Sequence, residues 1–176
     1  QHEEALRLAG DRLGGINPAA IRAHMYINKL LWLKEEHPEQ YDSTASFLQC
    51  SGYIVYRLTG KFSEDRSNAA AAHCYNVNTG VWDETACRMF GIDISKLPPL
   101  YDCDEIVGTI LPGPAAEAGL DPDTPVIAGT ADTPAAALGI GCIDEGDIGF
   151  SAGTSSSTLM VYDCASKPFR TAPKLM

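Results

Sequence analysis

The chain has 176 residues, 45 % of them hydrophobic and 20 % charged, enough for one domain with a sizeable core or for one domain and the start of another. Its formal net charge of −10 repels nucleic acid and anionic lipid, so neither is expected as a partner. No stretch is long and apolar enough to cross a membrane, and the charged, helical amino terminus is unlike a signal peptide, which predicts a cytoplasmic protein.

Gln1 to Leu13 has helix-forming composition and is predicted to stop at Gly14-Gly15. Asn17-Pro18 marks a turn. From Met25 to Glu36 the residues Ile27, Leu30, Leu31 and Leu33 follow helical spacing, and Pro38 ends the run. Ser51 is placed as the N-cap of a helix through Tyr53, Val55 and Leu58 that Gly60 closes. Asp65 is expected to cap a short alanine-rich helix across Ala69 to Ala72. A turn follows at Asn76 to Gly80, and Asp83 caps a helix that stops at Gly91. Leu97-Pro98-Pro99 is a break, Ile106 to Ile110 a strand, and Pro114 to Ala118 a single helix ending at Gly119.

The last third is richer. Val126-Ile127-Ala128 is β-prone, Gly129-Thr130-Ala131-Asp132 forms a tight turn, and the small residues Pro134 to Gly139 form a helix. Asp147 to Ser151 and Thr158 to Tyr162 are expected to pair as a hairpin across Ala152-Gly153-Thr154-Ser155-Ser156.

The six cysteines (Cys50, Cys74, Cys87, Cys103, Cys142 and Cys164) form no CxxC pair and are expected to be reduced, buried thiols. The four histidines form no HExxH pattern, which argues against a zinc site. Trp32 and Trp82 are assigned to the core. His24 and His73 flank helical segments, where each either faces a pocket or is a surface or satisfied core histidine.

Two places could carry chemistry. Asp132 lies where a strand gives way to a helix, the usual ligand side of an α/β sheet. The free N–H groups and partial positive charge of a helix N-terminus favour an ionised carboxylate there. Such a group can take the proton of a bound alcohol as its oxygen attacks phosphorus. The same letters also suit an ordinary N-cap with proline just inside the helix, so local pattern leaves both readings open. The Gly153-Thr154 turn is the second place, where backbone N–H groups and hydroxyls could converge on an anion. Any hairpin turn favours these residues too. The chain contains neither GxxxxGK[ST] nor GxGxxG, which disfavours a P-loop NTPase or dinucleotide binder within it.

Several segments, in order, resemble the FGGY carbohydrate kinases. Lys29-Leu30-Leu31-Trp32-Leu33-Lys34-Glu35-Glu36 is similar to the core of that family's amino-domain signature, and Tyr53-Ile54-Val55-Tyr56-Arg57-Leu58-Thr59-Gly60 to its Tyr…Arg-Leu-Thr-Gly segment. Asp65-Arg66-Ser67-Asn68-Ala69, Trp82-Asp83, Leu97-Pro98, Val107-Gly108 and Pro125-Val126-Ile127-Ala128-Gly129 follow in the family's order. The chain departs from the pattern in places. Thr130-Ala131 stand where the family usually has Gly-Gly before the aspartate, Thr133 follows it, and Ser156 stands where the phosphate loop often has glycine. His24 and Tyr26 replace residue types that the signature expects before Lys29.

The resemblance implies an α/β chain that is part of a ribonuclease H-like, actin-like ATPase fold. Residues 1–146 would be the later part of domain I, the sugar-binding lobe, and residues 147–176 the start of domain II, the ATP-binding lobe. It implies Asp132 as catalytic base and sugar ligand, and Gly153, Thr154 and Ser155 as a phosphate loop for ATP with Mg2+; His24, which could face a pocket but departs from the signature, is a further candidate sugar contact. The expected activity is phosphoryl transfer from ATP to a hydroxyl of a ketose or polyol, a pentulose such as xylulose first among them. The alternative is an inactive sugar-binding or regulatory member of the same fold. Expected partners are the sugar or polyol and the remainder of the kinase chain, with a homodimer allowed. Gln1 would fall inside the first domain and Met176 just inside the second, so the chain is expected to be a fragment without activity of its own.

Overall fold

The computed structural model describes residues 1–10, 13–17, 19–153 and 156–162. Helix α1 (His2–Ala9) ends at Gly10, whose positive φ of 48° stops it short of the predicted Leu13, and a 3-10 turn at Leu13–Gly15 follows. Helix α2 (Tyr26–Glu36) runs as expected. Pro38 both ends it and starts α3 (Pro38–Ser43), since the missing N–H is no loss in a first turn. Helix α4 (Cys50–Thr59) is closed by Gly60 in the left-handed conformation, φ 74°. Strand β1 (Glu64–Asp65) leads into α5 (Arg66–Ala69) and a 3-10 turn at Ala70–Ala72, followed by β2 (Tyr75–Asn76) and β3 (Val81–Trp82). Helix α6 (Glu84–Phe90) precedes β4 (Leu100–Tyr101), β5 (Ile106–Thr109), α7 (Pro112–Ala118) and β6 (Pro125–Ile127). Helix α8 (Asp132–Gly139) and the strands β7 (Ile148–Ala152) and β8 (Ser156–Met160) complete the described chain.

The caps follow local chemistry. Asp65 accepts from Asn68 N at 2.9 Å and Asp83 from Ala86 N at 2.9 Å, each satisfying a free donor of the helix it opens. Ser51 does not cap α4. Gln49 holds the N-cap position, its N–H donating to the Glu64 side chain at 3.3 Å, while Ser51 Oγ accepts from Asn68 Nδ2 at 3.2 Å.

Strands among the described residues form two-stranded ladders: β1 with β4 is parallel, whereas β2–β3, β5–β6 and β7–β8 are antiparallel. The strand leading to Asp132 thus belongs to an antiparallel pair, because the short α7 carries the chain back beside the strand it left. The main core gathers Ala5, Leu13, Ile27, Leu30, Leu31, Tyr41, Phe47, Phe90 and Leu97 from the first two thirds of the chain. A second, small core holds Val55 of α4 against Val107 of β5 and Ala128, just past β6, and so seats the ladder that delivers Asp132.

Several buried-residue expectations change. Trp82 is half-buried against the main core, its indole N–H donating to Pro98 O at 2.7 Å. Trp32 is 46 % exposed. It lies five residues on from Ile27, about 140° round α2 and away from the Leu30–Leu31 face. Among the described cysteines, all free, Cys74 and Cys87 are buried, Cys103 and Cys142 partly so, and Cys50 is exposed. Cys164 lies outside the described residues.

The segment Ser63 to Asn68 crosses the start of α4 at close range. A Cβ on Gly52 would stand 2.4 Å from the Ser63 carbonyl oxygen. That explains a glycine inside a helix, where it costs about 1 kcal/mol relative to alanine. Glu64, next in the chain, is 1 % exposed, and its Oε1 has no hydrogen-bond partner. Burial pushes its carboxyl up to about 8, against the pull of the Gln49 N–H and with a further push from Asp65, so at neutral pH it keeps its proton.

Two predictions follow from this packing. Gly52→Ala forces its methyl into a backbone carbonyl and should lower stability by about 1–3 kcal/mol in urea denaturation, despite the better helix propensity of alanine. The Glu64 carboxyl is raised in the folded state from an ordinary value of 4.5, so stability present at low pH is lost as pH climbs through that interval to about 8. Glu64→Gln keeps an acceptor for Gln49 without a titrating proton, and should flatten the fall in thermal midpoint between about pH 5 and pH 9. An unchanged pH profile would rule out Glu64 as its source.

Candidate active site

Asp132 is the first residue of α8, not its cap. Ala131 takes the N-cap position in extended backbone (φ −63°, ψ 157°), which places Pro134 two residues further inside the helix than the capping reading requires. The Asp132 carboxylate is therefore not consumed in closing the helix. Its Oδ1 accepts from Thr133 N at 2.7 Å and from Thr133 Oγ1 at 3.2 Å. Among the described residues Oδ2 has no partner, and the side chain is exposed at the positive end of α8. One oxygen is anchored to its own helix; the other is available.

The turn before Asp132 is tied to the body of the domain from two sides. On the strand side, Ala128 N donates to Glu105 O and Gly129 N to Cys103 O, both at 3.0 Å. On the other side stands Ser67 of α5. Its hydroxyl accepts from Ala131 N at 2.8 Å, meets Thr130 Oγ1 at 2.9 Å, and lies 2.5 Å from Asp65 Oδ1. Asp65 is 1 % exposed and is further held by Asn68, through its backbone N–H on Oδ1 and its Nδ2 on Oδ2 at 2.7 Å. Asn68 in turn accepts from Gln49 Nε2 at 2.6 Å. A continuous polar chain thus runs from the start of α4 to the residue preceding Asp132.

Sequence reasoning singled out Asp132 and the Asp65 cap but not the Ser67 contact or the buried Glu64. The available signal was a serine two residues after a capping aspartate. Nothing in that spacing shows where its hydroxyl points.

The other expected site residues are placed less decisively. His24 is exposed in the turn before α2, and among the described residues no hydrogen bond joins it to the Asp132 turn. Beside it, Ala23, Asn28, Lys29, Trp32, Gln1 and His2 line a surface cavity of about 420 Å³. His73 is a core residue: fully buried at φ 59°, its ring nitrogens lie 3.1 Å from Ala71 O and 3.3 Å from Ala19 O, and the neutral ring can donate to one of the two. Gly153 is exposed at the end of β7, where the chain leaves the ladder before β8 resumes at Ser156. Thr154 and Ser155, the rest of the expected phosphate turn, lie outside the described residues.

The hairpin is joined to α8 at the end opposite Asp132. A Cβ on Gly149 would lie 3.2 Å from Ile140 Cδ1 and 3.3 Å from Cys142 Sγ, so the missing side chain lets β7 settle there. Asp147 Oδ2 accepts from Ile143 N at 3.1 Å and Asp144 N at 2.9 Å, closing the connection. The eight-residue helix thus spans about 12 Å between the carboxylate and the hairpin's support. Among the described residues, no three His, Cys, Asp or Glu side chains gather to hold a metal ion.

Comparison with known proteins agrees with this architecture. Residues 9–139 match the family model described as the FGGY family of carbohydrate kinases, N-terminal domain. The chain is 33 % identical over 161 residues to the xylulose kinase of Bacillus subtilis, covering 92 % of this chain and 32 % of that protein. It is 31 % identical over 137 residues to the gluconokinase of Bacillus licheniformis, covering 78 % of this chain and 27 % of the relative. The crystal structure of ligand-bound xylulose kinase from Lactobacillus acidophilus superposes with a TM-score of 0.80 at 26 % identity, over 89 % of this chain and 32 % of that one. The chain thus spans about a third of the length of the proteins it matches. Its α/β fold is the one these kinases share, as expected for part of an actin-like ATPase fold.

Proposed function

The chain belongs to the FGGY family of carbohydrate kinases, and on that premise we propose that its full-length gene product transfers the γ-phosphate of ATP to a hydroxyl of a ketose or polyol. A pentulose such as xylulose is the first candidate, since a xylulose kinase is among the relatives aligned over most of the chain. The observation that carries the reading is Asp132: exposed at the start of α8, with one oxygen anchored and one free, and not used as a cap.

In this reading the free Asp132 oxygen accepts the proton of the sugar hydroxyl. The deprotonating oxygen attacks the γ-phosphorus, the bond from phosphorus to the β–γ bridging oxygen breaks, and ADP leaves. Little covalent work is asked of the protein, so fixing the base is its main contribution. Gly153, with Thr154 and Ser155, would cradle ATP phosphates through backbone N–H groups, as a glycine-containing turn permits. Bound Mg2+ would neutralise phosphate charge. Magnesium commonly needs only one or two carboxylates beside the phosphates. His24 is the proposed additional sugar contact.

Residues 1–146 would then form the later part of the sugar lobe and residues 147–176 the start of the ATP lobe. The remaining kinase chain is the natural cover for the apolar side chains left exposed from α8 onward: Leu138, Ile140, Ile143, Ile148 and Phe150 are each 59–67 % exposed. ATP and free sugars as substrates suit a cytoplasmic enzyme.

Asp132→Asn in the full-length gene product, assayed by coupled ADP release over ketopentoses, polyols and gluconate, should lower kcat by about 100-fold or more with KM changed little. Turnover retained within about tenfold would reject Asp132 as the base. A wild-type protein that binds a sugar of the panel yet turns none over would favour the inactive, regulatory member of the fold.

A further inference from the structure

We propose that Ser67 is a positioning residue for the reaction, holding the Asp132 carboxylate in register through the backbone of the residue before it. The proposal rests on Asp132 as base and adds the device that fixes it.

The proton inventory of one hydroxyl makes the argument. Ser67 Oγ has one proton and two lone pairs. Asp65, whose carboxylate only accepts, lies 2.5 Å away and accepts the hydroxyl's hydrogen bond. The lone pairs are then left for Ala131 N–H at 2.8 Å and for the Thr130 hydroxyl at 2.9 Å, which must be the donor in that pair. All three partners are used, and each fixes the direction of the others. Ala131 is the N-cap of α8, so its N–H defines where the helix starts and where the first side chain, Asp132, leaves the axis.

Little else could do this. Within α8 the buried residue is Ala137, at the far end from Asp132, and its methyl offers a small contact. Among the described residues, the hydrogen bonds from Thr130 and Ala131 to another element end on Ser67. Asp65 is in turn immobile: it is buried, it caps α5, and both its oxygens are bound. The hydroxyl transfers that rigidity to the turn. Without it the turn hangs from the β5–β6 ladder alone, and a displacement of about 1 Å at a reacting group costs on the order of 100-fold in rate.

The test uses the full-length gene product. Ser67→Ala should lower kcat by about 10- to 100-fold, with KM for ATP and sugar held within about threefold. Ser67→Thr, which keeps the hydroxyl, should restore most of the lost rate. Placed on Asp132→Asn and followed in single-turnover assays, Ser67→Ala should cost almost nothing further, because the group it positions is gone. Should Ser67→Ala fail to fold, Thr130→Val removes one of the two bonds, and should lower kcat by about threefold or more in the wild-type background only. A wild-type kcat for Ser67→Ala, an equal loss in both backgrounds, or no rescue by threonine would overturn the assignment. If Asp132→Asn itself keeps its turnover, the base reading fails instead, and the two failures are told apart by that single variant.

Discussion

The turn that presents Asp132 is held by polar groups, and its place depends on one hydroxyl between two elements far apart in the chain. Helix α8 is short and made of small residues, so it cannot seat itself by burying an apolar stripe. The β5–β6 ladder, fixed through Val107 and Ala128 on Val55 of α4, sets the approach. Ser67 sets the angle, since its bonds are directional where apolar contact is not.

That hydroxyl is the outer end of a denser arrangement. From Ser63 to Asn68 the chain runs through the interior with Glu64 and Asp65 almost wholly buried, between α4 and β4. The two acids meet burial differently. Asp65 has its oxygens filled by Ser67 and Asn68, which lets a carboxylate sit inside the protein. Glu64 has a single 3.3 Å bond from Gln49, and it holds a proton instead. Gly52 allows the segment this close to α4, so a missing side chain in one helix and a serine in another serve the same turn.

The balance changes past α8. The main core is drawn from the chain between Ala5 and Leu97, whereas Ile140, Ile143, Ile148, Phe150 and Met160 are each at least 60 % exposed. Side chains of this kind lose free energy in water roughly in proportion to the area they expose.

What the sequence determined by itself was local. Asp65 and Asp83 open helices, and Gly60, Gly91 and Gly119 close them, because a cap is a bargain among residues three or four apart. The strand–turn–helix around Asp132 and the hairpin of β7 and β8 were legible for the same reason, and the ordered segments that mark the family were on the page as letters. Tertiary structure alone decided that Ala131 caps α8 and leaves Asp132 free, that Glu64 meets the Gln49 N–H at the start of α4, and that Trp32 faces outward. It alone brought Ser67 to Ala131 across 64 residues of chain. No spacing rule reaches that distance, because such a bond exists only once the folded chain has brought α5 to the turn before α8.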